Sequence, residues 1–246
     1  SEEQGKGGSV ETWAHAQECA ALFDAHRHEI DGVLVVLPNF GDERGVADTI
    51  KLSGLHVPIL VQAYPDSLDE LAVERRRDSF CGKISVCNNL GQYGFPFSLT
   101  EQHTVALMDD SFKQDLTRFV AVCRVIKGLK GARLGAIGTR PANFTTVRYS
   151  EKLLEASGIS VTDVDLSVVF GEAERLTADD PALHAALDAI NSYVSVKGIP
   201  QESLIKMARL KVVIDRWMDE NSLDATAIQC WDAVQHYYGV CACTIM

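Results

Sequence analysis

The feature that most constrains this chain is a rhythm that runs through it twice: a short apolar run, a polar loop, then a segment with helical spacing. Val33-Leu34-Val35-Val36-Leu37 is the first such run. Pro38-Asn39-Phe40-Gly41-Asp42 is its loop, and Glu43 to Gly54 reads as the helix that follows. Val57 to Ala63 is the next strand, ended by Tyr64-Pro65-Asp66, and Ser67 to Arg77 can be helical. An apolar run without polar alternation is expected to be buried on both faces, as in a parallel sheet. Strands that alternate with helices in this way build βαβ units.

The rhythm breaks between Ser79 and Thr100. That stretch holds Gly82, Asn88-Asn89, Gly91 to Gly94 and Phe95-Pro96-Phe97. Its Gly, Asn and aromatic content predicts a loop with its own packing, with a strand-like piece, Lys83 to Val86, between Cys81 and Cys87. Glu11 to Arg27 reads as a helix. So does Ser111 to Leu129, on the spacing of Phe112, Leu116, Phe119, Val120 and Cys123.

The alternation then restarts. Arg133 to Gly138 is a strand, Thr139 to Phe144 its loop, Val147 to Ala156 a helix and Ile159 to Leu166 a strand. Helices are predicted around Pro181 to Val196 and Gln201 to Asn221. A short strand at Ala225 to Gln229, a helical turn or two at Asp232 to Tyr238 and a last strand at Val240 to Met246 follow. The reading is α/β: two lobes with mainly parallel sheets, residues 1–130 and 131–246, joined near Gly128 to Ala132.

Composition narrows the function classes. The 246 residues are 46% hydrophobic and carry a net charge of -11. An acidic surface repels nucleic-acid phosphate and anionic membrane, so neither is an expected partner. No apolar run approaches the roughly 18 to 20 residues that span a bilayer. The seven cysteines are odd in number and irregularly spaced. They predict free thiols in a reducing, cytoplasmic setting. The first residues show no basic-plus-apolar signal, and the strand pattern at Val240 to Met246 stops without a polar tail, as in a fragment.

Ligands of open parallel sheets bind at the carboxyl ends of strands. Four loops there are candidates: Pro38 to Asp42, Tyr64 to Asp66, Gly138 to Phe144, and Gln229-Cys230-Trp231. None has a G-x-G-x-x-G or P-loop pattern, and Gly135 and Gly138 are too sparse for a phosphate cradle. Cys241 and Cys243 would face one side of a strand, but no second Cys or His pair completes a zinc set. Arg75-Arg76-Arg77-Asp78 reads as a solvated helix face, and His103 as a lone loop histidine. Trp13 and Trp217 read as packing residues. Trp231, just past a strand end, suits either stacking on a sugar ring or core packing.

Three stretches carry a resemblance. Asp31 to Glu43, Arg77 to Asn89 and Ile228-Gln229-Cys230-Trp231 together resemble the L-fucose isomerase-like proteins, relatives of L-fucose and L-arabinose isomerases. The similarity extends over nearly the whole chain. It implies a subunit of two Rossmann-like lobes and a C-terminal domain, converting an aldose to its ketose. It also implies Mn²⁺ on the O1 and O2 oxygens of a monosaccharide, and a carboxylate that moves a proton between C1 and C2 through an enediol.

By the same resemblance, the metal-binding carboxylates and histidine lie beyond Met246, and a βα unit with substrate contacts precedes Ser1. This chain is then expected to hold no catalytic or metal residue and to be inactive alone. Phe40 falls where the family places an aromatic that lines the sugar site, and Gln229 where a Gln touches sugar hydroxyls. Asn39, Arg140 and Trp231 are expected neighbours from loop position. Phe40 lacks the hydrogen-bond donor a Trp would offer. The resemblance further implies a homo-oligomer, with Phe80 to Phe97 at a subunit contact. The competing reading is a non-catalytic, two-lobed sugar-binding protein.

Overall fold

The computed structural model describes residues 8–246. The chain divides into two compact units between Lys127 and Gly128. Both are α/β with parallel strands, as the alternating pattern predicts.

In the first unit, α1 (Trp13–Ala25) starts at Thr12, whose hydroxyl accepts the His15 N–H. β1 (Val33–Leu37) leads to α2 (Glu43–Ser53), where Asp42 accepts the N–H groups of Arg44 and Gly45. Such a cap satisfies donors that the first helical turn leaves open. β2 (Ile59–Ala63), α3 (Ser79–Gln92), β3 (Ser98–Leu99) and α4 (Asp110–Leu129) complete the unit. The strand order is β1-β2-β3. All five residues of β2 are buried. Val61 packs into one cluster with Leu37, Ile50, Val86 and Leu90, while Leu60 packs with Phe119 and Cys123 of α4. Successive β2 side chains therefore enter cores on opposite faces of the sheet, as strand pleating requires.

Three expectations for this unit are corrected. The supposed loop after Ser79 is largely α3, and Lys83 to Val86 is helix rather than strand. The buried positions Ser79, Gly82, Lys83, Val86 and Leu90 are spaced by three and four. Its glycines and asparagines serve packing and helix-surface bonds: the Asn89 amide donates to the Ser85 carbonyl one turn back. Residues 67–77 form separate turns at Ser67–Glu70 and Ala72–Arg76, not a helix. Leu68, Leu71 and Val73 are exposed, so the segment buries no face that would hold one. Finally, β1 is not buried on both sides, for Leu34 and Val36 are 36% and 37% exposed.

In the second unit, β4 (Arg133–Ile137) is followed by a 3₁₀ turn (Thr145–Val147), α5 (Glu151–Ala156) and β5 (Ser160–Val164). Then come α6 (Leu166–Arg175), α7 (Pro181–Tyr193), α8 (Gln201–Glu220) and β6 (Ala225–Ile228). The strand order is β5-β4-β6, with β4 parallel to both neighbours. The core gathers Ile137, Val169, Leu183, Leu204, Leu210 and Val234. Trp217 of α8 lies so close over Gly135 that a Cβ there would meet the indole at 2.7 Å. Gly135 is therefore a packing glycine.

Four further corrections fall here. α6 replaces the expected continuation of a strand to Leu166; Asp165 caps it through the Ser167 N–H, and Val169 and Ala173 are its buried face. The helix predicted from Val147 starts only at Glu151. The predicted last strand is a 3₁₀ turn (Ala242–Thr244). Cys241 and Cys243 are exposed on either side of buried Ala242 rather than aligned on a strand face. Among the described residues no helix is long and apolar enough to cross a membrane.

Candidate functional site

The carboxyl edge of the first unit carries Asn39 and Phe40. Their loop is fastened from several directions. The Phe40 N–H donates to the Arg77 carbonyl at 2.7 Å, and the Arg77 guanidinium donates to the Pro38 carbonyl at 3.1 Å. Asp66 accepts the backbone N–H groups of Arg77 and Asp78, at 2.7 and 3.2 Å. The Arg77 guanidinium also lies 5.5 Å from the centre of the Tyr64 ring. The basic run read as a helix face is thus the stitching between two strand-end loops, and its Asp78 pairs with Arg76 at 2.6 Å. The first turn of α3 presses on the Phe40 backbone, where Gly82 leaves no room for a Cβ. The Phe40 ring itself is 47% exposed.

Behind this edge, Lys83 is 4% exposed and donates to the Thr100 hydroxyl at 2.7 Å and the His103 carbonyl at 3.0 Å. Burial holds its pKa below the ordinary lysine value, with Cys87 and Asp115 pulling weakly the other way. His103 packs its ring 5.1 Å from that of Phe80. His103 therefore serves the packing of this edge, with its backbone carbonyl taken by Lys83.

The second unit has an open cavity of about 760 Å³ at the carboxyl ends of β4 and β6. Arg140, Gln229 and Trp231 all line it. The Gln229 side chain joins the two strand-end loops. Its Oε1 accepts the Thr139 N–H at 2.8 Å and the Thr139 hydroxyl at 2.9 Å, and its Nε2 donates to the Trp231 carbonyl at 3.1 Å. Both acceptor sites and one of two donor hydrogens are in use, which leaves one N–H for a ligand. Gln229 is thus a latch between the two strand-end loops.

Trp231 is 56% exposed, and its ring lies 5.5 Å from that of Phe144. The two rings form an apolar wall suited to the C–H face of a sugar. Arg140 bonds Glu151 at 2.6 Å and stacks 4.0 Å from the Tyr149 ring centre, so its charge is already compensated. Asn39 and Phe40 belong to the first unit, and the other three expected residues converge in the second.

Sequence reasoning missed Arg148, Tyr149 and Glu151 as lining residues, and reached Thr139 only as part of the Gly138 to Phe144 loop. Arg148 and Tyr149 were hidden inside a predicted helix that begins later. The charge and aromatic pair beside a strand-end loop was the signal available.

Among the described residues, no three His, Cys, Asp or Glu side chains are placed to hold a metal ion together. The donor set of the described residues does not fit Mn²⁺, and no step through the metal follows from it. All seven cysteines are free thiols.

The family described as fucose/sulfoquinovose isomerase, N-terminal domain, matches residues 1–130. Two relatives, the sulfoquinovose isomerases of Priestia aryabhattai and Priestia megaterium, are each 24% identical over 172 residues. The match covers 70% of this chain and 37% of each relative, so the chain spans little more than a third of their length. With more than half of its residues matched by that N-terminal domain, the chain belongs to the fucose/sulfoquinovose isomerase family.

Proposed function

We propose that this chain serves an aldose–ketose isomerase of carbohydrate metabolism, as the two Rossmann-like units of a larger subunit that uses Mn²⁺. The observation that carries the reading is the family match over residues 1–130. The relatives' greater length supports a further domain that supplies the metal ligands and the proton-transferring carboxylate. The substrate is a monosaccharide of five or six carbons, and the relatives' name points to a sulfonated hexose. A homo-oligomer in the cytoplasm completes the proposal.

The residues at hand suit positioning. Trp231 and Phe144 would cover the apolar side of the sugar, and the remaining Gln229 N–H would meet a hydroxyl remote from the reacting carbons. Asn39 and Phe40 are proposed as substrate contacts of the first unit by itself, on a loop that is already fixed. Tight fixing lowers the entropy lost on binding.

The test is to incubate the full-length protein with aldoses in D₂O, with and without Mn²⁺, and follow C1 and C2 by NMR. Ketose formation with deuterium at its C1, and at C2 of the aldose re-formed from the enediol, is the expected result. Sugar binding without exchange would overturn the isomerase reading in favour of a non-catalytic sugar-binding protein.

A further inference from the structure

The charges lining the second unit's cavity are unequally committed. Arg140 is paired with Glu151 at 2.6 Å and stacked on Tyr149. Arg148 lines the same cavity, but among the described residues its guanidinium makes one hydrogen bond, an N–H to the Pro141 carbonyl at 3.3 Å. Among the described residues no carboxylate lies within ion-pair distance of it. A guanidinium presents five donors in a planar fork, so four remain for a ligand. On the acidic side, Glu151 is taken by Arg140, which leaves Asp163. It stands on β5 opposite Ala136 and also lines the cavity. A carboxylate accepts hydrogen bonds from hydroxyls and repels anions.

We propose that Arg148 is the specificity-determining residue of this cavity, where it receives the anionic substituent of a monosaccharide whose hydroxyls are met by Asp163 and Gln229. The ligand class is an anionic sugar. Sulfonate, phosphate and carboxylate share the geometry that a guanidinium fork recognises through paired N–H···O bonds. The Phe144–Trp231 wall covers the ring between the charged end and the hydroxyls. The inference rests on the sugar-site reading above but not on turnover.

Direct binding tests it. Calorimetry on the full-length protein would compare sulfoquinovose, glucose 6-phosphate, glucuronate, glucose and glucosamine, using wild type, Arg148→Gln and Arg148→Lys. Gln removes the charge and the fork while keeping a neutral N–H donor of shorter reach. Wild type is expected to bind at least one anionic sugar about tenfold or more tighter than glucose, and the preferred anion identifies the substituent. Arg148→Gln should lose about 10- to 100-fold on that sugar, the range for a bond to a charged group, with glucose unchanged. Arg148→Lys should fall between them, since it keeps the charge and loses the fork.

Equal affinity of wild type and Arg148→Gln for every anionic sugar overturns the assignment. So does an equal loss on glucose, which marks a structural role, a preference for glucosamine, which would make Asp163 the anchor, or no binding of any anionic sugar. The two readings fail separately. Selective loss without C2 exchange removes the isomerase and leaves Arg148 in place. C2 exchange with an indifferent Arg148→Gln does the reverse.

Discussion

The two units share one strand–loop–helix logic and end it differently. In the first, β1, β2 and β3 lie side by side in chain order. The loops after them step in one direction, and α3 closes over the edge through Gly82 and Phe40. In the second, the chain places β5 on one side of β4 and later returns to place β6 on the other. Where strand order reverses, neighbouring strand-end loops part and a crevice opens. The 760 Å³ cavity sits there, between the loops after β4 and β6. Similar loop composition thus gives a fastened edge in one unit and an open site in the other, and the order of strands makes the difference.

The largest effect expected from breaking this contrast is at Gly82. A side chain there has to displace the Phe40 backbone, because its Cβ would fall on the carbonyl. Overpacking against main chain cannot be relieved by a rotamer change. Gly82→Val should destabilise the protein by about 3 kcal/mol, the upper part of the usual overpacking range, read as a lower urea midpoint. Gly138→Ala at the open edge should cost less, about 1 to 2 kcal/mol for forcing a Cβ into left-handed backbone; its φ is +82° with Leu166 at 3.0 Å. A larger cost at Gly138 than at Gly82 would contradict the fastened-versus-open distinction.

Next in size is the latch. Gln229→Ala removes the acceptor of the Thr139 N–H and the donor to the Trp231 carbonyl together. Both groups are exposed enough for water to replace part of the loss. A cost of about 1 kcal/mol in stability is expected from lost hydrogen bonds, with sugar affinity down several-fold because the two loops are no longer tied. Gln229→Glu should restore the Thr139 bonds and fail at Trp231. If Gln229→Ala leaves sugar affinity unchanged, the latch has no part in the site. If it removes Mn²⁺ from the full-length protein, the residue belongs to the metal's surroundings.

Asp66 ties the first unit's edge in the same manner, by accepting two backbone N–H groups of the 67–78 segment. Asp66→Ala should cost no more than about 1 kcal/mol, as the bonds are solvent-exposed. Hydrogen exchange is the sharper readout. The amides of Phe40, Arg77 and Asp78 should exchange faster while those of β2 keep their protection. Unchanged exchange at Phe40 would mean that Arg77 holds the loop without Asp66.

How far the sequence carries can be seen in particular residues. Val33 to Leu37 and Val57 to Ala63 are short apolar runs between turn residues, and both are strands within two residues of the reading. α3 was misread because Gly82 and Asn89 carry the composition of turns but work as a close-packing point and a helix-surface hydrogen bond. α6 was missed because its first apolar residue continues the strand pattern before it. The strand-end loops holding Arg140, Gln229 and Trp231 were legible as candidates, since a ligand site in this fold class has few other places to be. Their convergence was not legible. It depends on the β5-β4-β6 order, which no local pattern encodes, and on Gln229 spending most of its hydrogen-bonding capacity inside the protein. Arg148 escaped notice because its significance lies in what does not pair with it.

The smallest expected effect concerns pH and the fastened edge. Lys83 is buried, and desolvation lowers its pKa from the ordinary lysine value, against weaker opposing pulls from Cys87 and Asp115. Its Nζ meets the Thr100 hydroxyl and the His103 carbonyl, two acceptors that a neutral amine still satisfies. In the unfolded chain the amine keeps its proton up to the ordinary value. Between the lowered folded pKa and that value, the unfolded state binds more protons, so stability contributed by Lys83 rises with pH. Below the window the amine is charged in both states, and the burial penalty is constant; above it the gain is complete. Lys83→Met removes the titration. The wild-type stability minus that of Lys83→Met should therefore increase from neutral pH towards 10.5, measured as paired urea midpoints across that range. A difference that falls with pH would mean the folded protein holds the charged form, with Asp115 rather than burial governing the site, and the edge would then be fastened by an ion pair instead of by neutral hydrogen bonds.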